Sequence, residues 1–486
     1  MTFKNLGEFL ARIERDGDLV RVKDEVSPIL EVAEIADRMS KSPGGGKALL
    51  FEKVAGSKYP LAINALGSFK RMATALGVTR IDEIGERIEA VLRMKPPATF
   101  AEKLRMLPTL LEFAKYPPVT VGRGACQEVV AEGGDVNVLE FPVIQCWPND
   151  AGRFITMGLV FTADPRSGNR NVGLYRMQVY DGRTTAMHWH IHKDGAHHFH
   201  EYKKLGKRMD VSAAIGTDPV VTYAASAPLP REVDELLFAG FIRRAPVEIV
   251  KCRTNDLFVP AEAEIVLEGY VDPAEEMRIE GPFGDHTGYY SPADKYPVFH
   301  ITAITHRKNP VYMTTIVGRP PMEDCYMGKA TERIFLPLIK AQIPEVVDIN
   351  MPFEGVFHNC VIVSIRKEFP MQAHKVMHAL WGMGQMSFAK LIVVVDGDVN
   401  VQDASEVTWR AFNNVDARRD LVVSEGPLDV LDHSAAQPLF GAKLGVDATR
   451  KLAGEGYARE WPEDIVMSAD VKAKVQTLWE KIKESP

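Results

Sequence analysis

With 486 residues, 46% of them hydrophobic and 25% charged, the chain has the make-up of an ordinary globular protein and the length for two or three domains with real cores. A formal net charge of -7 argues against the basic face of a nucleic-acid binder, so no nucleic-acid partner is expected. No window nears the roughly 20 apolar residues of a membrane span, residues 1–8 lack a signal peptide's apolar core, and the five cysteines (Cys126, Cys146, Cys252, Cys325 and Cys360) form no Cys-x-x-Cys pair, which predicts buried thiols in a cytoplasmic protein.

In chain order, Leu6, Phe9, Leu10 and Ile13 share one helical face over 3–15, and Gly17 follows as a stop. A short strand is predicted at 18–22 and a helix at 29–39, then a Gly-rich loop and strands at 48–51 and 61–64. Helical stretches follow, the last at 108–115, where Pro108 suits a first turn. This reads as an α/β domain over 1–118.

From 119 to about 315 the texture changes. Short β-branched or alternating runs at 154–161, 172–180, 220–223, 247–252, 264–271 and 298–305 predict an antiparallel sheet or barrel. Helical insertions are predicted at 199–207 and 232–243. Beyond 316, helix and strand patterns alternate: helices at 332–342, 371–383 and 403–412, strands at 360–365 and 391–395. That is an α/β layer pattern, and it ends in a charged amphipathic helix at 470–483 suited to an oligomer contact.

Several stretches hold chemistry. In 278–290, Glu280 and Asp285 flank Gly-Pro-Phe-Gly, a sharp turn that can bring two acids into one small volume. Desolvation and mutual repulsion would then push one pKa up, whereas a solvated surface turn would leave both acids unremarkable. Arg176 sits on a strand with Leu174 on its face and Tyr175 opposite, either solvated or forked onto a carboxylate or phosphate. Six of the thirteen histidines fall in 187–200. His188, His190 and His192 would share one face of a strand; the reading favoured is a mixed one, with one histidine a ligand and the others supporting, against a three-histidine zinc hydrolase or a polar strand edge running into a helix cap. Ala225, Ser226 and Pro228 lie in a run of small residues that would let a phosphorylated ligand approach the backbone. Glu235 stands near a helix start, where an acid is also simply a favourable first-turn charge.

Taken together, the segments 171–176, 192–193, Glu235 after Pro228-Leu229-Pro230, 251–256, 280–290, 320–324, 328–337, 354–359 and 441–450 resemble the UbiD family of decarboxylases, in the family's order and over nearly the whole chain. The resemblance implies reversible, non-oxidative decarboxylation of an aromatic carboxylic acid with prenylated FMN, supplied by a flavin prenyltransferase. It implies a catalytic network of Arg176, Glu280 and Asp285, with Glu280 as proton donor. It implies Mn2+ (or Mg2+) on Asn171, His192 and Glu235, a donor set that suits a hard to borderline ion, and K+ near 224–227. Cofactor contacts would come from Asn171, Arg176, His192, Ala225, Ser226, Pro228, Glu235 and Lys390. The fold implied is an N-terminal α/β domain (1–118), a split β-barrel flavin domain (119–315) and a C-terminal α/β domain (316–486) whose last helix builds a homodimer or homohexamer. Asp at position 285 matches the branch acting on 4-hydroxy-3-polyprenylbenzoate-type quinone precursors, with peripheral membrane contact if the substrate is polyprenylated. The same chemistry on a menaquinone-pathway naphthoate or a small hydroxybenzoate is the near alternative. The zinc hydrolase and a passive flavin-binding protein are the distant ones.

Overall fold

The computed structural model describes residues 2–94, 112–190 and 193–483. The first half of the helix expected at 108–115, residues 108–111, lies outside them, as does His192. The expected mixed α and β, multidomain architecture is found.

The first helix, Leu6–Arg15, is capped by the Asn5 side chain accepting from the Glu8 amide, and it buries Leu6, Phe9, Leu10 and Ile13. It packs beside a four-stranded sheet of Leu19–Val26, Ala48–Val54, Leu61–Ile63 and, from far along the chain, Tyr312–Met313. The central sheet is antiparallel and runs Val129–Glu132, Val298–His306, Ile265–Val271, Met209–Ile215, Phe154–Ala163 and Arg170–Gln178, with Thr184–Ala186 also on Val298–His306. Among the described residues it does not close into a barrel. One buried apolar cluster runs from Leu6 and Phe51 to Phe154, Phe161, Ile265 and Phe299, joining the two sheets. Each such side chain contributes about 1.5–3 kcal/mol by leaving water.

The helix Glu323–Gln342 leads into a five-stranded sheet ordered Val346–Asn350, Cys360–Ile365, Leu391–Asp396, Phe440–Asp447 and Leu421–Pro427. A second core forms around Ile349, Val363, Met377, Ile392 and Val394. The last helix, Ala469–Lys483, buries no residue and leaves Val475, Leu478, Trp479 and Ile482 exposed.

The structure corrects two local expectations. The run at 220–223 is not a strand but lies within the helix Pro219–Ala224. Asp218 accepts from the Val220 and Val221 amides and Pro219 opens the first turn, so cap chemistry overrides the β-branched residues. The second correction concerns His188 and His190. The strand ends at Ala186 and both histidines stand on irregular chain, so they do not share a strand face.

Candidate active site

The strand Arg170–Gln178 carries Arg176 into the interior, where the turn after Arg278–Glu280 meets it. Gly281 opens that turn at φ +87°, a backbone setting that favours glycine. The Gly281 amide donates to Gln178 Oε1 at 2.8 Å, and the Gly284 amide donates to Asp150 Oδ1 at 2.8 Å. A Cβ on Gly284 would lie 2.2 Å from Trp147 Cδ1, so only glycine lets the turn come this close.

Held this way, the two acids converge on one guanidinium. Arg176 Nε donates to Glu280 Oε1 at 2.8 Å and Nη2 to Glu280 Oε2 at 3.3 Å, while Nη1 donates to Asp285 Oδ2. Nη2 also reaches Ser291 Oγ at 3.1 Å, and the guanidinium carbon lies 4.6 Å from the centre of the Phe283 ring. Glu280 is wholly buried. His188 Nδ1 stands 2.9 Å from Glu280 Oε2, and His188 Nε2 lies 3.0 Å from His190 Nε2. Asp285 Oδ1 accepts from the His286 amide at 2.8 Å and from His286 Nδ1 at 3.0 Å.

The expected raised carboxylate is not found in this pair. Burial favours the neutral form of Glu280, but the hydrogen bond from His188 and the charge of Arg176 outweigh it and hold the acid below its usual range. Burial acts likewise on Asp285, and the bond from His286 with the Arg176 charge holds it well below the usual range. The guanidinium stands between the acids, so attraction replaces the repulsion that spacing alone suggested. Burial pushes His188 down despite its acidic neighbour, and pushes His190 down to about 4 with help from His188.

A second group lies along the same strand. Asn171 is buried with Nδ2 unpartnered. Glu235 Oε2 accepts from the Val172 amide at 2.9 Å, and burial pushes this carboxyl up to about 7. No cationic side chain among the described residues pairs with Glu235. The Leu174 amide donates to the Ala225 carbonyl at 3.0 Å, and Ser226 Oγ donates to the Tyr223 carbonyl at 2.7 Å, which seats the small-residue run against the strand. Pro228 continues that run. Lys390 is paired with Asp432 at 2.9 Å and bonded to Ser434. Among the described residues no three His, Cys, Asp or Glu side chains are arranged to hold a metal.

Sequence reasoning missed His188 as a partner of Glu280, and it missed Ser291, Asp150 and Gln178. Nothing in the linear order marks a contact across 92 positions. It also gave no role to His286, although that residue directly follows Asp285, nor to His358.

The descriptions of three 3-octaprenyl-4-hydroxybenzoate carboxy-lyase domains match this chain: the N-terminal domain at 10–88, the Rift-related domain at 118–320 and the C-terminal domain at 325–448. The chain belongs to the UbiD family. An uncharacterised protein of Archaeoglobus fulgidus is 53% identical over 485 residues, covering 99% of both chains. The vanillic acid decarboxylase of Sedimentibacter hydroxybenzoicus, in its closed form, superposes with a TM-score of 0.85 at 28% identity and 100% coverage of both chains. The UbiD-class enzyme HmfF of Pelotomaculum thermopropionicum, in complex with FMN, gives 0.81 at 30% identity over 98% of this chain and 99% of its own. An evolved dimeric form of HmfF, in complex with prFMN, gives 0.79 at 29% over 97% of this chain and 98% of its own. As a UbiD-family carboxy-lyase the protein is an enzyme, so the passive flavin-binding reading gives way. The zinc hydrolase gives way with it: His188 is engaged by Glu280, and His190 by His188.

Proposed function

We propose that the protein catalyses reversible, non-oxidative decarboxylation of an aromatic carboxylic acid using prenylated FMN, with Arg176, Glu280 and Asp285 as its catalytic residues. The observation that carries this reading is one buried guanidinium bonded at once to two carboxylates inside a UbiD fold. Four of its five N–H groups are engaged. The fifth is left to orient the substrate carboxylate.

The residues of the second group suit the cofactor's phosphate and its metal. A buried carboxyl with no cationic partner among the described residues is the kind of oxygen ligand a hard Mn2+ or Mg2+ ion would satisfy, and Asn171 would add its side-chain carbonyl oxygen. Asn171 and Glu235 would hold that ion with His192, and the backbone around Ala225, Ser226 and Pro228 would face the phosphate and K+. Lys390 would join the phosphate by leaving Asp432. Loss of bound manganese and flavin in Glu235→Ala, read by metal analysis and the absorption spectrum, checks this placement. Retention of both would move the site elsewhere.

Prenylated FMN, when bound, supplies the electron sink that side chains lack. The bond between ring carbon and carboxylate breaks, carbon dioxide leaves, and the electron pair must end as a new C–H bond. Glu280, ionised at rest, takes up one proton for each turnover and delivers it to that carbon, while the His188 Nδ1 hydrogen bond holds its carboxyl in place. Asp285 keeps Arg176 in line from the other side.

A 4-hydroxy-3-polyprenylbenzoate-type acid heads the substrate list, with small hydroxybenzoates and a naphthoate beside it. The exposed apolar face of Ala469–Lys483 would pair with a second copy, making a homodimer or a larger ring. The decisive test gives the reconstituted holoenzyme a panel of such acids and measures carbon dioxide release. One accepted acid supports the reading; none released by a fully flavin-loaded protein would end it.

A further inference from the structure

Beyond Asp285 lies a histidine pair that the proposed reaction does not use. His286 Nε2 stands 3.2 Å from His358 Nε2, and His358 Nδ1 stands 3.0 Å from Asn359 Oδ1. His286 belongs to the catalytic turn. His358 comes from the C-terminal region, between the one-turn helix Phe353–Gly355 and the strand Cys360–Ile365. The chain presenting it is strained, with Val356 at φ +43° and Phe357 at φ +72°. Phe357 stacks on His286 at 5.4 Å between ring centres.

The protons in this chain of contacts can be counted. An ionised Asp285 only accepts, so His286 Nδ1 carries a hydrogen. Asn359 offers its carbonyl oxygen, so His358 Nδ1 carries one too. Two neutral rings would then aim bare lone pairs at each other across the gap, and one added proton turns that contact into an N–H···N bond. Moving a proton from His286 onto Asp285 Oδ1 instead would set a hydroxyl against the His286 amide, which already donates to that oxygen. Charge gives the same answer. Arg176, Glu280 and Asp285 sum to minus one in a buried site, and an imidazolium at His286 brings the group to neutrality.

We infer that His286 and His358 share one proton as a cationic pair that keeps Asp285 ionised, and that the C-terminal region completes the catalytic charge set by contributing His358. The consequence for turnover rests on the decarboxylase reading; the charge state does not. His286 is a positioning residue in this account, acting through Asp285. The groups facing the pair are Asp285 on the same turn, Asp324 at the start of Glu323–Gln342, and Asp429 and Asp432 beyond Leu421–Pro427. All are acids; Asp432 is already paired with Lys390, and burial pushes Asp324, whose buried Oδ1 has no partner, up to about 7. Burial works against a charge on His286, but Asp285 outweighs it and raises the pKa, while burial lowers that of His358.

The test is nitrogen-15 NMR of histidine-labelled holoenzyme between pH 6 and 9, with the His286 signals identified by their loss in His286→Gln. An imidazolium at His286 that persists at pH 7 is expected; a neutral ring there overturns the inference, with no further variant needed. In His358→Gln the amide oxygen still accepts from His286 Nε2, so the titration and the alkaline limb of kcat stay where they are. In His358→Leu both move down by about one pH unit, a tenfold loss of proton affinity; an unmoved titration in that variant also overturns it. A holoenzyme that released no carbon dioxide would sink the decarboxylase reading yet leave these spectra to be read.

Discussion

Asp285 is fixed by a positive group on each side, so removing its charge leaves Arg176 and His286 without their shared acceptor. Breaking a buried pair this way costs on the order of 3–5 kcal/mol. The sign of the pH dependence follows from the two shifts. Asp285 is lowered from 3.8, so its contribution is present above that pH and is lost as the pH falls through the lower folded value. His286 is raised from 6.5, so its contribution is present below that pH and is lost as the pH rises through the higher folded value. The gap in urea midpoint between the wild type and Asp285→Asn should therefore be widest near pH 5 to 6, and it should narrow toward both extremes. A gap that stays flat across the range would mean that shape, not charge, is what the substitution removes. At this scale the sequence was legible for Arg176, Glu280 and Asp285, because their motifs are contiguous and specific. His188 and His358 were not, since each meets its partner only through the fold.

At the scale of elements, the segment 218–224 shows where pattern reading stops. Val220, Val221 and Thr222 look like strand, and the deciding group is the side chain before them. Asp218 Oδ1 caps the helix at 2.9 Å from the Val220 amide, and Oδ2 pairs with Arg243 Nη1 at 2.5 Å. Asp218→Ala removes the cap, worth about 1 kcal/mol, and strands a largely buried Arg243, worth several times more. Chemical denaturation should show a loss well above that of a cap alone. Arg243→Met, measured beside it, should recover part of the loss in the double variant, and strict additivity would show the two residues to be uncoupled. The helix matters because it ends at Ala224, directly before the small-residue run seated against the strand of Arg176. The helix Leu6–Arg15 was legible because one period dominates it, and the strand Cys360–Ile365 because its Val and Ile form a continuous β-branched run. The central strand Met209–Ile215 was not read as a strand, since it neither alternates nor is rich in β-branched residues, with Asp210, Ser212, Ala213 and Ala214 in its middle.

At the scale of the whole molecule, the site is assembled from distant pieces. The strand of Arg176 and the turn of Glu280 belong to the central sheet region, while His358 comes with the C-terminal sheet and reaches the turn through His286. Order along the chain was readable from texture; this meeting was not, because no local period records which loop faces which. Turnover depends on Glu280 placing a proton on the vacated ring carbon. The most direct measurement incubates the decarboxylated product of an accepted acid with flavin-loaded wild type and Glu280→Gln in deuterated buffer and follows deuterium at that carbon by NMR. The wild type should incorporate it steadily. The variant should fall by about a hundredfold or more with its flavin spectrum unchanged, whereas incorporation at the wild-type rate in the variant would contradict the assignment.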